Sequence, residues 1–338
     1  MRTLPDLVDK YSDQIQIGKM AVNSYGKKQS MAGEIYTVSC SDDNSIVKSV
    51  LSRKGKNKIL VIGSGAREHA IIRAINASKL QKSIYCLASS MNPGIAELCD
   101  EILIGNFNDP SFVVDYAKEI KATLVIIGPE KPLSLGVSDA LWNADIKVVG
   151  PKKKLAQIET SKSFTRDLLK KYDVPGGPNY KNFKSIEGVS IFLEELGENY
   201  VVKFDGLAGG KGVKVSGEHL HSHSEAINYC LDLIKNNGSF VIEEKFIGEE
   251  FSLMSFCDGT TLKHMPVIQD HKRAYDGDVG PNTGGMGTYS NADHSLPFLE
   301  KSDILCAQKI NLATSKAIKN KCGEGFKGIL YGGFMATN

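Results

Sequence analysis

A chain of 338 residues, 41% hydrophobic and 24% charged, has the composition of an ordinary folded protein with room for two or three domains. Lysine and arginine number 41 against 39 aspartate and glutamate, a net charge of +2 that argues against a general nucleic-acid surface and leaves any anion site to local clusters. The seven cysteines, Cys40, Cys86, Cys99, Cys230, Cys257, Cys306 and Cys322, include no CxxC pair. Neither a disulfide framework nor a structural zinc site is expected, and they read as core thiols in a reducing compartment. The opening MRTLPDLVDKYSD has no apolar leader, and no apolar run reaches membrane-spanning length. The cytoplasm, with no membrane partner, is the expected location.

Residues 1–57 differ in pattern from the rest of the chain. They hold a short amphipathic start (Leu4 to Tyr11), a strand-like run (Glu34 to Val38), a helix-like run (Asn44 to Leu51) and a basic linker from Ser52 to Lys58. From Lys58 the pattern becomes alternating. Ile59 to Ile62, Ile84 to Leu87, Ile102 to Ile104, Leu124 to Ile127 and Ile146 to Val149 are short, apolar and β-branched, as strands buried on both faces should be. Helical patterns over Arg67 to Lys79, Ser111 to Ile120 and Pro132 to Asn143 lie between them. Such alternation implies βαβ units, so residues 58–150 are expected to form an open α/β domain on a parallel sheet.

The first of these strands runs into Gly63-Ser64-Gly65-Ala66-Arg67-Glu68. Glu68 stands where a dinucleotide fingerprint has its third glycine, so that cofactor is not supported. The turn is either structural or, through the free N–H groups of the helix after it, an anion site suited to a phosphate-bearing substrate. The fourth strand ends at Gly128-Pro129-Glu130, where Glu130 either meets a ribose at the carboxyl end of the sheet or caps the helix expected from Pro132.

After Gly150-Pro151 the rhythm shifts to α+β. Thr160-Ser161 caps a helix from Lys162 to Tyr172, and a cation at its positive end suggests a compensating anion. A further amphipathic helix is expected over Asn182 to Leu196. Then comes VVKFDGLAGGKGVKV, Val201 to Val215, two β-rich runs around a loop with Gly206, Gly209, Gly210 and Gly212, bracketed by Lys203 and Lys211. The spacing is not that of the P-loop. It is a glycine-rich hairpin, either merely flexible or able to lay backbone N–H groups on phosphate oxygens. Next in the chain are a helix over Ser224 to Asn236, a strand over Ser239 to Glu244, and a hairpin of Phe251 to Cys257 with Thr261 to Ile268. Asp270-His271-Lys272-Arg273 then precedes a Gly/Pro/Asn-rich loop, Asp278 to Gly287, which is either a connector or a substrate-contacting segment. His219, His221 and His223 fall in a polar turn before a helix, and metal ligation is not the expected use.

Two resemblances emerge. Asp6-Leu7-x-Asp9-x-Tyr11, with Tyr25-Gly26, Ser30-Met31-x-Gly33-x-Ile35-x-Thr37-Val38-x-Cys40 and Asp43-Asn44, is similar to the opening of the A-type regulators of ribonuclease E activity, and no activity is carried over from that likeness. Six motifs in order from Lys58 onward resemble the phosphoribosylamine–glycine ligase (glycinamide ribonucleotide synthetase) family of ATP-grasp enzymes. They are ILVIGSGAREHA (from Ile59), Gly128-Pro129-Glu130-x-Pro132-Leu133, Ser161-Lys162-x-Phe164-Thr165, Val202-Lys203-x-Asp205-Gly206-Leu207-Ala208 with Gly210-Lys211-Gly212, Gln269 to Arg273, and Gly280 to Gly287.

The resemblance implies a Rossmann-like pre-ATP-grasp domain over 58–150. It also implies an ATP-grasp domain over 151–338, incomplete at its end, with a small lid subdomain at about 175–245 and residues 1–57 as an accessory extension. It implies ATP as cofactor, glycine and 5-phosphoribosylamine as substrates and a glycyl phosphate intermediate; the charge balance gives no nucleic-acid partner, and the oligomeric state is not set by the sequence, a monomer being favoured. Lys162, Lys203, Gly206, Gly209, Gly210, Lys211 and Gly212 would hold phosphates. Glu243, Glu244 and Phe246 would edge the adenine, and Glu249 or Glu250 the ribose. Gly63, Gly65, Arg67, Glu68 and Glu130 would meet phosphoribosylamine. Asp270, His271, Lys272 and Arg273 with Pro281, Asn282, Thr283, Gly284 and Gly285 would enclose glycine, with Arg273 stabilising developing charge and Lys272 and Asp270 beside it. Mg²⁺ or Mn²⁺ is expected of the family, but its Glu-x-Asn ligand strand is expected beyond Asn338. Ala66, Gly209 and the Ser89-Ser-Met-Asn-Pro-Gly94 stretch depart from the family pattern. Ala66 and the Ser89 to Gly94 stretch leave open a ligase acting on another substrate, and the ligand strand expected beyond Asn338, with the regulator-like segment in front, leaves open an inactive truncated remnant.

Overall fold

The computed structural model describes residues 15–17, 38–40, 57–208, 212–236, 238–277 and 279–337, with 15–17, 38–40 and Asn282 described by their backbone alone. The expectations for 4–11, 34–37 and 44–51, and the residues Gly209, Gly210, Lys211 and Asp278, lie outside the described residues. Two short strands, β1 (Ile15–Ile17) and β2 (Val38–Cys40), pair antiparallel with Ile17 opposite Val38. The chain divides into two compact units, Met1–Phe107 with Asp115–Gly128, and Asn108–Val114 with Pro129–Asn338.

In the first unit β3 (Asn57–Ile62), β4 (Lys82–Ala88), β5 (Glu101–Ile104) and β6 (Leu124–Ile127) are ordered β5-β4-β3-β6, with every neighbour parallel. Their near-continuous apolar sequences reflect burial on both faces. Val61, Ile84 and Cys86 pack with Ile72 of α1 (Ala66–Ala77) and Ile95 of α2 (Pro93–Ala96). A fully buried side chain of this size contributes about 1.5–3 kcal/mol. The next helix, α3 (Pro110–Glu119), sends the Tyr116 hydroxyl to Glu101 Oε1 at 3.0 Å. Parallel strands end together, so the loops after β3, β4 and β6 gather at one edge of this sheet.

The second unit begins with α4 (Glu130–Ser134) and α5 (Val137–Asn143), which replace the single helix expected over Pro132 to Asn143; Gly136 divides them. The strand expected over Ile146 to Val149 is only β7 (Val148–Val149). Two further helices are α6 (Lys153–Thr160) and α7 (Lys162–Lys171), and Ser161 caps α7 by accepting from Phe164 N at 3.1 Å.

A small antiparallel sheet comes next, built from β8 (Tyr180–Phe183), β9 (Tyr200–Phe204), β10 (Val213–Val215) and β11 (Phe240–Glu244) in the order β10-β9-β11-β8. One face packs Phe183, Tyr200, Val202, Phe240 and Ile242 against α8 (Val189–Leu196) and α9 (His223–Lys235). The helix expected over Asn182 to Leu196 is thus corrected to a strand and a shorter helix. Phe183 is stacked on Phe240 at 5.5 Å, which draws the segment into the sheet, and Gly188 at φ 76° occupies a left-handed conformation that a helix cannot run through.

The large sheet is also antiparallel, with β12 (Glu249–Asp258), β13 (Leu262–Tyr275), β14 (Val279–Tyr289) and β15 (Lys327–Ala336) in the order β14-β13-β12-β15. The expected hairpin of β12 and β13 is present, but the Gly/Pro/Asn-rich stretch expected as a loop is strand β14. Tertiary pairing overrides its low strand propensity. Gly280 makes the pairing possible: its φ is 87°, and a Cβ there would lie 2.4 Å from the Tyr275 ring. The long helix α10 (Lys301–Cys322) covers one face of this sheet. Phe251, Leu253 and Val267 meet Leu296 and Ala307 there, while Leu330 joins Leu155, Leu168 and Ile318 in an adjoining core. Asn311 of α10 donates to Leu253 O at 3.0 Å and Ser255 Oγ at 3.1 Å, satisfying the backbone where the β12 register shifts. At the far end of the sheet the Lys327 ammonium lies 4.4 Å from the ring centroid of Trp142 in α5.

Candidate active site

Alternation along β9 and β11 decides what the open face of the small sheet carries. With Val202, Phe240 and Ile242 facing the helices, Val201, Lys203, Val241 and Glu243 face the other way. Lys203 Nζ pairs there with Glu243 Oε1. Arg166, one turn after Lys162 on α7, forks onto the same carboxylate, Nε to Oε2 at 2.7 Å and Nη2 to Oε1 at 3.0 Å. The Glu243 side chain is 5% exposed. Burial alone would raise its pKa; Lys203 and the bidentate Arg166 outweigh that and hold the carboxyl below its ordinary value.

Lys162 reaches the same place from the N-terminus of α7. Its Nζ donates to Gly206 O at 2.6 Å, at the foot of the glycine loop. Burial lowers its pKa, Asp205 and Glu159 work against that shift, and the neighbouring Lys203 adds to it. Asp205 fastens the loop's other contacts. Its Oδ1 accepts from Ser163 N at 3.2 Å, and its Oδ2 accepts the Ser163 hydroxyl and, at 3.5 Å, that of Ser239. Lys162, Lys203, Gly206 and Gly212, expected together at a phosphate site, are thus brought together at one end of the small sheet, where Phe204 N donates to Gly212 O at 2.7 Å.

The strip expected to edge a nucleotide continues from β11. Glu244 N donates to Asn179 O at 2.8 Å, and the Glu244 carboxylate accepts from Asn179 N at 3.2 Å. Phe246 lies half-buried after the strand. Glu249 accepts from Gln269 Nε2 at 3.2 Å, and Glu250 pairs with Lys272. Burial disfavours the Lys272 ammonium, yet Glu250, Tyr331 and Asp270 prevail and raise its pKa above the ordinary lysine value.

The two segments expected around glycine turn out to be partners in one ribbon. Asp270 stands opposite Thr288, His271 opposite Gly287 and Arg273 opposite Asn282. Thr283 Oγ1 donates to Lys272 O at 3.0 Å, and Gly285 lies beside Asp270. The His271 ring stacks on Tyr289 at 5.8 Å. Arg273 Nη1 donates to Gly280 O at 2.9 Å and Nη2 pairs with Glu218, whose carboxylate also lies 3.8 Å from Lys245. His271, Arg273, Tyr275 and Met286 line a cleft along this ribbon; Pro281 and Gly284 are exposed on β14.

In the first unit the strand-end motif is held by its own side chains. Glu68, 5% exposed, turns back to accept from Gly65 N at 2.7 Å, while Arg67 Nη1 donates to Gly128 O at 2.6 Å. A Cβ at Gly63 would stand 2.6 Å from Glu68 Cδ, and one at Gly128 would stand 2.0 Å from Oε1. The carboxylate therefore fills the space between the ends of β3 and β6, at the position a third glycine occupies in a dinucleotide fold. Ser64 Oγ and Ser89 Oγ are 2.9 Å apart, and Asn92 Nδ2 donates to Ser64 O at 2.9 Å, so the divergent Ser89 to Gly94 stretch closes the next part of this edge. In the second unit Glu130 is the first residue of α4, two residues before the expected start, where an acid favours the helix dipole.

Sequence reasoning overlooked Arg166, Ser163, Ser239 and Glu218. Arg166 had a signal, since its i+4 spacing from Lys162 puts both on one helix face. The other three emerge only from the tertiary arrangement. His223 Nε2 lies 2.9 Å from Gly197 O and its ring meets Tyr200 edge-on at 5.4 Å. Among the described residues no group of three His, Cys, Asp or Glu is placed to hold a metal ion, so the family's expected metal fits no donor set here. Among them, too, no helix is long and apolar enough to cross a membrane.

Comparison with known proteins identifies the family and the fold. Residues 57–159 match the phosphoribosylglycinamide synthetase N domain, residues 160–338 match the ATP-grasp (A) domain of the same family, and residues 3–83 match an Aldolase/RraA model. The phosphoribosylamine–glycine ligase of Methanosarcina barkeri is 49% identical over 280 residues, covering 83% of this chain and 64% of that protein. The chain thus spans a little under two thirds of that relative's length. The crystal structure of phosphoribosylamine–glycine ligase from Thermotoga maritima superposes with a TM-score of 0.67 at 27% identity, covering 83% of this chain and 66% of that one. A carboxyaminoimidazole ribonucleotide synthase from Aspergillus clavatus, solved with ATP, shares the fold with a TM-score of 0.62 at 15% identity, over 84% of this chain and 67% of that one. Residues 57 onward, with their parallel-sheet unit and paired antiparallel sheets, belong to the phosphoribosylglycinamide synthetase family of ATP-grasp proteins.

Proposed function

We propose that this chain carries the ATP-grasp machinery for joining glycine to 5-phosphoribosylamine, giving glycinamide ribonucleotide, ADP and phosphate. The observation that carries the reading is the convergence of Lys162 and Lys203, from separate elements, at the foot of the glycine loop. Two ammonium groups, one from the open face of the small sheet and one from the N-terminus of α7, suit a polyphosphate. ATP would lie along this face with its adenine at Glu243, Glu244 and Phe246, its ribose at Glu249 or Glu250 and its phosphates at the lysines. A glycine carboxylate oxygen attacks the γ-phosphorus, the bond to the ADP oxygen breaks, and glycyl phosphate forms. The amine of phosphoribosylamine then attacks the glycyl carbonyl, phosphate leaves with the bonding pair, and the nitrogen loses a proton.

Such transfer depends on positioning and charge stabilisation more than on covalent help. Arg273, steadied by Gly280 O and Glu218, stabilises charge building on the transferring phosphoryl oxygens. Lys272 and Asp270 flank it, with His271 and Pro281 to Gly285 enclosing glycine. Gly63, Gly65, Arg67, Glu68 and Glu130 are assigned to phosphoribosylamine, Glu68 by shaping the turn from beneath. A divalent cation is expected of the family, and no step of the reaction is assigned to it. We further assign residues 1–57 as an accessory extension, 58–150 as the pre-ATP-grasp domain and 151–338 as the ATP-grasp domain with its lid at about 175–245, acting as a monomer in the cytoplasm. The six described cysteines are unbridged thiols, which supports a reducing compartment.

The test is ADP release with glycine, phosphoribosylamine and Mg²⁺. Glycine-dependent ADP is expected; a folded sample giving none above background defeats the reading.

A further inference from the structure

Lys162 and Lys203 belong to different cores. Lys203 is fixed by the small sheet, whereas α7 is anchored through Leu168 in the core beneath α10. Something must hold the two elements at a constant spacing for their ammonium groups to act together. One link is the buried Arg166–Glu243 pair. The other is Asp205. It stands just past the end of β9 and receives both the backbone N–H and the hydroxyl of Ser163, the residue next to Lys162. Its own N–H donates to Ser239 O at 2.9 Å, which ties it to the start of β11. A carboxylate at the first turn of α7 also offsets the unfavourable placement of Lys162 at the positive end of that helix.

We infer that Asp205 is a positioning residue that, through Ser163, sets the spacing of Lys162 and Lys203 and so makes them a single phosphate grip. This rests on the nucleotide reading above but assigns a role to groups that need touch no ligand. Its signature is selective. Losing the clamp should weaken affinity for the polyphosphate and leave affinity for the nucleoside alone unchanged.

The experiment is equilibrium titration of the full chain with ATP, ADP and adenosine, in wild type and in Asp205→Asn, Ser163→Ala and Ser163→Thr. Charge-assisted hydrogen bonds of this kind are worth roughly a tenfold to hundredfold change in an equilibrium constant. Asp205→Asn is expected to weaken ATP and ADP by about that much, Ser163→Ala by about three- to tenfold, and adenosine by less than about twofold. Ser163→Thr, which keeps the hydroxyl, is expected to recover most of the affinity lost in Ser163→Ala. Near-UV circular dichroism identifies a variant that has failed to fold, and Ser163→Ala, uncharged and small, then carries the test. Unchanged ATP affinity in both Asp205→Asn and Ser163→Ala overturns the inference while leaving the nucleotide reading intact. Parallel loss of adenosine and ATP also overturns it, because the clamp would then be only structural. Absence of ATP binding in the wild type overturns the reading itself, and the inference with it.

Discussion

The small and large sheets both present cations to the proposed site, but they hold them differently. At the small sheet, Lys203 of β9 and Arg166 of the neighbouring α7 share one carboxylate that is 5% exposed. On the large sheet Lys272 meets a glutamate that is 50% exposed and Arg273 one that is 42% exposed. A buried ion pair cannot lose one partner without stranding a charge, whereas a solvated pair can exchange its partner for water or a ligand at little cost. The small sheet's cations are therefore part of the fold, and those of the large sheet are separable from it.

The sharpest way to break this contrast is Glu243→Ala. It is expected to destabilise the protein by about 3–5 kcal/mol, read from a denaturant midpoint, and a loss under about 1 kcal/mol would put the small sheet's pairs in the same class as the large sheet's. Arg273→Ala is expected to lower glycine-dependent ADP release by about 10²–10³-fold with a stability change under about 1 kcal/mol. Lys203→Ala should weaken ATP roughly ten- to hundredfold and lower the midpoint as well, linking function to folding where Arg273 does not. Glu250→Gln should shift stability by less than about 1 kcal/mol.

The pH dependence sharpens the same contrast. Because the Glu243 carboxyl is held below its ordinary value in the folded state, its contribution is fully present above the unfolded value of about 4.3 and is lost as pH falls through the folded one. Acid titration of stability should therefore show a loss below about pH 4.3 in wild type that Glu243→Gln lacks. Lys162, lowered chiefly by burial, should lose its proton before an ordinary lysine does. ATP affinity is expected to decline on the acid side of the usual lysine titration, and a decline only within the usual range would remove Lys162 from the site.

The parallel sheet was legible because Ile59 to Ile62 and Leu124 to Ile127 state their double burial locally. The hairpin around Gly206 was legible because glycine, lysine and β-branched residues mark its loop and strands together. Tyr180 to Phe183 was not, since its polar sequence becomes a strand only through pairing with β11. Asp278 to Gly287 reads as loop for the same reason, the glycines in it opposing the strand, Val279–Tyr289, that its partner imposes. The convergence of Lys162 with Lys203 was anticipated from motif order, but the groups that hold them, Asp205 with Ser163 and Glu243 with Arg166, join residues that no local periodicity connects.

Trp142, the only tryptophan in the sequence, sits in α5 beneath the Lys327 ammonium at the start of β15, whereas the small sheet and its helices carry tyrosines instead. Indole emission excited beyond the tyrosine band therefore reports on the contact between α5 and β15 and not on the small sheet. Its colour and intensity should change when β15 leaves α5 and stay constant while the small sheet rearranges. The protein thus contains its own optical separation between its two four-stranded antiparallel sheets.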